Sequence, residues 1–271
     1  MRKSILIGLV LGVALFGRLA AEEWAKHLVD NEGAVGEQCR MALDAQGNPH
    51  LVYLVSASDS LYYVRWTGSG WTAREYITLS AYDPDIVVDE AGKPHVAVKL
   101  SNLGGDLYYY TKPSDQWVGS LVFGTTYTRL GCTIALDSLS RPHVVHKQRY
   151  LSTNKLYHTY YDGSSWNNEF VTDVAPGDWC SIAIDTNDCI YVAFNTAAAH
   201  LKCATNCGSG WSEVYVDTAT GVGAYCDLAL DDSGQPYIAY YDSTNGNLKC
   251  AVPVPGAATT AEQAAEAGRD Q

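Results

Sequence analysis

The chain has 271 residues, 47% of them hydrophobic, and a formal charge of −12 at neutral pH. That length lets a single all-β domain bury a large core without a second domain. A surface this acidic repels phosphate backbones and anionic lipid, which argues against nucleic acid as a partner and favours solubility.

At the N-terminus, Arg2 and Lys3 precede a short apolar run from Ser4 to Gly17, and Ala20-Ala21 offers small residues for cleavage. Residues 1–21 therefore read as a signal peptide, and the protein is expected to be secreted or periplasmic. Neither this run nor any later one is long enough to span a bilayer, so no membrane insertion is expected. No Cys follows the run until Cys39, which argues against a lipid anchor. Cleavage would remove Arg2, Lys3 and Arg18 and no acid, taking the formal charge to −15.

From there on, a repeat dominates. Five segments align: "MALDAQGNPHLVYL" from Met41, "IVVDEAGKPHVAVK" from Ile86, "IALDSLSRPHVVHK" from Ile134, "IAIDTNDCIYVAFN" from Ile182 and "LALDDSGQPYIAYY" from Leu228. Their aspartates, Asp44, Asp89, Asp137, Asp185 and Asp231, are spaced 45, 48, 48 and 46 residues apart. A Trp follows the first four at 26 to 29 residues: Trp71, Trp117, Trp166 and Trp211. None follows Asp231, but Trp24 precedes Asp44 by 20 residues, as Trp211 precedes Asp231. The missing end of the fifth unit is thus expected at the N-terminus.

Within each unit the first strand ends at the Asp, and "DxxGxP" turns tightly into the second. A polar loop leads to a third strand such as "SLYYVRW" or "KLYHTYY", and a Gly-rich turn to a fourth that starts at the Trp. Four antiparallel strands repeating about every 47 residues predict the blade of a β-propeller. The predicted fold is all-β: a five-bladed propeller over residues 22–252. Trp24 to Asp30 would pair with the C-terminal "LKCAV" to close the ring within one sheet. Residues 253–271 form a low-complexity tail.

The pattern resembles secreted bacterial propeller repeats with an "ALDxxGxPHIAYYD…LKYA…GW" consensus, and more distantly WD-repeat and sialidase-type blades. The resemblance runs from about Trp24 to Ala251 and implies architecture. Such propellers host lectins, glycosidases, sialidases and scaffolds alike. The sialidase Asp-box, "SxDxGxTW", falls where this chain reads "TGSGW", "PSDQW", "YDGSSW" and "NCGSGW"; the Trp matches and the Asp spacing does not.

Residues common to every blade read as structural. An Asp at the start of a hairpin accepts hydrogen bonds from the turn, and His50, His95 and His143 lie across that turn, with Tyr191 and Tyr237 in their place later. Eight cysteines in an exported chain point to disulfides. Cys189 and Cys207 are private to the fourth blade, on turns at one end, and are the expected pair. Cys39, Cys132, Cys180 and Cys226 form one column and Cys203 and Cys250 another, as thiols or as bonds between blades. No Cys/His spacing suits a metal, and no cofactor is expected.

Function is expected on the loops before the first strand and between the second and third, at residues that differ between blades. Tyr82, Tyr127, Trp179 and Tyr225 offer flat apolar faces for sugar rings. Asp59, Asp106, Asn154, Asp242 and Asn245 offer hydrogen bonds, although turn chemistry explains such residues too. The expected function is a monomeric, non-enzymatic, lectin-like module for extracellular carbohydrate. Two alternatives stand beside it. One is a glycoside hydrolase with Asp85 and Asp227 as its carboxylates and Arg40 beside them. The other is a scaffold that binds a protein ligand.

Overall fold

The computed structural model describes residues 25–100, 105–124, 131–150, 153–172 and 176–254, and in them nineteen strands and no helix. Blade one comprises β1 (Val35–Leu43), β2 (Pro49–Val55), β3 (Ser60–Arg65) and β4 (Glu75–Thr78). Blade two comprises β5 (Ala81–Val88), β6 (Pro94–Leu100), β7 (Asp106–Thr111) and β8 (Val118–Phe123). Blade three holds β9 (Cys132–Leu136), β10 (Pro142–Tyr150), β11 (Thr153–Tyr161) and β12 (Trp166–Thr172). Blade four holds β13 (Pro176–Ile184), β14 (Ile190–Thr196), β15 (Leu201–Asn206) and β16 (Ser212–Asp217). Blade five holds β17 (Val222–Leu230), β18 (Pro236–Asp242) and β19 (Asn247–Ala251). Every sheet is an antiparallel meander in chain order, so the fold is the expected five-bladed propeller.

The repeated aspartates build the hairpins. Asp44 Oδ1 accepts from the backbone N–H groups of Gln46 and Asn48, and Asp137, Asp185 and Asp231 repeat this pair of bonds. Behind them runs a buried relay: Tyr63 meets His50 at 2.7 Å and Tyr109 meets His95 at 2.6 Å. In blade three His143 meets His158 at 2.9 Å. Where the His becomes Tyr191 or Tyr237, the third-strand partner becomes Cys203 or Cys250, which needs no hydrogen bond. The outer tryptophans staple blades together. Trp117 packs edge-on to Tyr63 and donates to Glu75, and Trp211 packs on His158 and donates to Glu169.

Four apolar clusters join blade one to two, two to three, three to four and four to five. Burying each large side chain at these joints is worth about 1.5–3 kcal/mol, so the stack coheres blade by blade. Among the described residues no fifth cluster joins blade five to blade one. At one position of the third strand, Leu61, Leu107, Leu156 and Leu201 are sealed, whereas Leu248 is 84% exposed. At the facing column of the first strand Ile86, Ile134, Ile182 and Leu228 are buried, whereas Met41 is 62% exposed. Among the described residues the ring carries an open seam between blades five and one.

This corrects the expected closure. Residues 25–30 are in no strand, and β19 has no outer partner among the described residues. The segment lies instead on blade one: His27 packs against Trp66, and Asp30 Oδ2 accepts from Tyr53 and Arg74. The reason is chemical. Asp217, at the end of β16, takes the same bonds from Tyr240 and Lys249 of the next blade. Asp30 keeps that contact with the following blade without the pairing to the preceding one. The signal peptide expected over 1–21 and nearly all of the tail lie outside the described residues. No helix among those residues is long and apolar enough to cross a membrane.

Candidate functional site

The five inner strands β1, β5, β9, β13 and β17 surround a cavity of about 700 Å³ on the axis. Its walls are shaped by β-bulges. The register of β1, β5, β13 and β17 against the second strand slips just before Arg40, Asp85, Cys180 and Asp227. At the bulge Gln38, Asp83 and Tyr225 adopt left-handed backbone angles (φ 47°, 49° and 52°), and Gly131 takes the same place in blade three at φ 76°. A non-glycine residue held there costs on the order of 1–2 kcal/mol, and the bulge re-aims its side chain. The result is a rim of Gln38, Asp83, Gly131, Trp179 and Tyr225 around the cavity.

Below the rim, neighbouring blades are tied together by hydrogen bonds. Gln38 Oε1 accepts from the Asp83 N–H at 2.7 Å, and Arg40 stands 4.0 Å from the Asp83 carboxylate. Asp83 accepts from the Cys132 N–H, and Asp85 Oδ2 accepts from both Thr133 Oγ1 and the Ile134 N–H at 2.9 Å. Lys147 pairs with Asp178, and Ser181 Oγ donates to Asp227 Oδ1 at 3.0 Å. Burial pushes the Asp85 carboxyl up to about 6 against the pull of its donors, and burial raises Asp83 as well. Asp227 differs: it is exposed, its Oδ1 takes Ser181 and the Leu228 N–H, and its Oδ2 accepts nothing among the described residues.

Aromatic rings line the wall formed by blades four and five. Trp179 and Tyr225 lie 4.5 Å apart at 50°, and Tyr225 is 67% exposed; Tyr241, 6.4 Å from Tyr225, stands outside the lining. Blades one and two contribute Gln38, Arg40 and Asp83 to the lining. The floor is set by the thiols of Cys132, Cys180 and Cys226, which burial keeps protonated.

Of the residues singled out in the sequence, the cavity brings together Arg40, Asp85, Trp179, Tyr225 and Asp227. The other candidates among the described residues do not line it. Tyr82 donates to Asp59 at 2.7 Å, so this pair satisfies itself. Asp242 is buried and closes its turn by accepting from Asn245, with Lys249 beside it. Asp106 opens β7 and Asn154 lies within β11, both half-buried. Tyr127 is outside the described residues. Asp83 lines the cavity as well, and Gln38 does so without having been picked out; its only signal was position, one residue before the Cys/Pro column. Cys189 and Cys207 form the expected disulfide, and Cys39, Cys132, Cys180, Cys203, Cys226 and Cys250 are thiols. Among the described residues no three His, Cys, Asp or Glu converge as metal ligands.

No family model and no curated protein matches the chain. Solved structures do match in fold. AofleA from Arthrobotrys oligospora aligns with a TM-score of 0.62 at 14% identity, over 87% of this chain and 74% of that one. A fungal lectin, the fucose-recognising six-bladed propeller of Aleuria aurantia, aligns at 0.53 and 16% identity over 81% of each chain. A Hadza microbial sialidase aligns at 0.55 and 10% identity, over 83% of this chain and 57% of its own. At such identities the likeness is one of fold, and the chemistry rests on the cavity.

Proposed function

We propose that this protein is an exported, monomeric carbohydrate-binding propeller, lectin-like and without catalysis, whose ligand sits in the axial cavity. The observation that carries the reading is the division of that cavity. Trp179 and Tyr225 offer apolar faces from blades four and five, and Gln38, Arg40 and Asp83 offer hydrogen-bonding groups from blades one and two. A pyranose ring presents the same division, with C–H faces and a hydroxyl edge. The volume suits one or two sugar residues. Fucose recognition by the Aleuria aurantia lectin adds a precedent on a related fold.

Export rests on the N-terminal pattern of a basic start, an apolar run and small residues. The absence of catalysis rests on Asp85, whose two oxygens hold the Thr133 hydroxyl and the Ile134 and Ile86 N–H groups. One observation favours a glycoside hydrolase instead: Asp85 is pushed up to about 6, where a general acid works. Glycan-array screening followed by calorimetry tests the first reading, with Trp179→Ala expected to weaken binding about tenfold. An array without signal overturns it. Hydrolysis of a bound glycan that Asp85→Asn abolishes would establish the second.

A further inference from the structure

The aromatic wall is more than a flat platform. Trp179 and Tyr225 come from β13 and β17, and their rings are inclined at 50° with centroids 4.5 Å apart. A single flat face is enough to stack a neutral sugar. Inclined rings instead form a partial cup, which concentrates the negative faces of the aromatics on a compact group. In the same lining, two residues along β17 from Tyr225, stands Asp227, whose Oδ2 accepts nothing among the described residues.

The charges nearby point the same way. Arg40 faces the Asp83 carboxylate, Lys147 pairs with Asp178, and buried Lys99 donates to the backbone carbonyls of Gly131 and Lys147. These three cations thus already have acceptors, whereas among the described residues the exposed Asp227 Oδ2 has no donor. The whole chain carries −12, so its field draws cations toward an acidic concavity and repels acidic saccharides.

Building on the carbohydrate reading above, we infer that the ligand carries a positive charge, as an amino sugar with a free amine does. Its ammonium rests between the inclined rings of Trp179 and Tyr225 with Asp227 as counter-ion. An ammonium donates directly to Oδ2 and lies against the rings; acetylation removes both the charge and that fit.

Isothermal calorimetry on the full chain tests this with two probes of equal length: glucosamine oligomers and their fully N-acetylated counterparts. The free-amine oligomer should bind at least about tenfold tighter, and 0.5 M salt should shrink the difference. Asp227→Asn should bring the ratio of the two affinities close to one. Its thermal midpoint should stay near that of the parent, because the Asn Oδ1 still accepts from Ser181 and Leu228. Equal or tighter binding of the N-acetylated oligomer by the parent chain overturns the cationic ligand and leaves the carbohydrate reading intact. Binding of neither oligomer, with a silent glycan array, overturns both. A ratio unchanged in Asp227→Asn overturns the assigned counter-ion.

Discussion

Leu201 and Leu248 occupy the same position on the third strand of successive blades, yet Leu201 is sealed and Leu248 is 84% exposed. The difference lies in the neighbour that each blade meets. Leu201 packs into the cluster that blade four shares with Val222, Leu228 and Ile238, whereas the face carrying Leu248 looks into the open seam. Leu201→Ala should therefore cost about 2–5 kcal/mol, and Leu248→Ala less than about 0.5 kcal/mol. Urea unfolding of the two variants measures both. Equal losses would mean that the seam is shut in solution.

A second expectation concerns the segment that covers blade one. Asp30 holds Tyr53, itself buried, and Arg74 at 3.2 Å. Asp30→Ala leaves the Tyr53 hydroxyl without its acceptor, and such a loss costs about 1–3 kcal/mol. Asp30→Asn, which keeps an acceptor, should recover most of it. Chemical denaturation gives the values. If both substitutions are silent, the segment does not hold blade one together.

The propeller was legible because each blade must bury two faces. That demand repeats apolar columns every 45 to 48 residues and marks each hairpin with an Asp. The seam was not legible, because Leu248 and Leu201 read alike and their fates depend on a neighbour rather than on their own type. Residues 25–30 resemble an outer strand for a real reason, since Asp30 and Asp217 make the same contact; which edge the strand pairs with leaves no mark. In the site, Trp179 and Tyr225 stood out as aromatics not shared by every blade. Gln38 did not, because nothing in a Gln announces the left-handed backbone that turns it inward. Asp59 and Asp242 looked like ligand groups because turns and ligands ask for the same short carboxylates.

The Cys189–Cys207 bond gives a third prediction. It links the β13–β14 hairpin to the turn between β15 and β16 across 18 residues of chain. A loop of that size restricts the unfolded chain by about 3 kcal/mol. Dithiothreitol should lower the thermal midpoint of the parent chain and leave that of a Cys189→Ser/Cys207→Ser double variant unmoved. Equal sensitivity of the two would place the redox effect on other thiols.

Acid should destabilise the fold, and the direction comes from its histidines. Burial, with the charge of His158 adding to it, pulls His143 down to about 4; burial pulls His146 down to about 3 and lowers His50 and His95 as well. In the unfolded chain each titrates near its ordinary value of about 6.5. Below that pH the unfolded state binds protons that the folded state refuses, so the stability present above pH 6.5 drains away as the pH falls toward 4 and below. His143 alone accounts for a loss on the order of 3 kcal/mol. Asp85 opposes the trend. Its folded value of about 6 lies above the ordinary 3.8, so its contribution is full below pH 3.8 and is lost as the pH rises through 6. Asp83, also raised by burial, acts in the same sense, and two carboxyls against four histidines leave the balance unfavourable in acid. Thermal melts at pH 7, 5.5 and 4 should show a falling midpoint, and His143→Gln should flatten the slope between pH 6.5 and 4. A midpoint that holds or rises at pH 4 would show that the buried imidazoles accept protons in place.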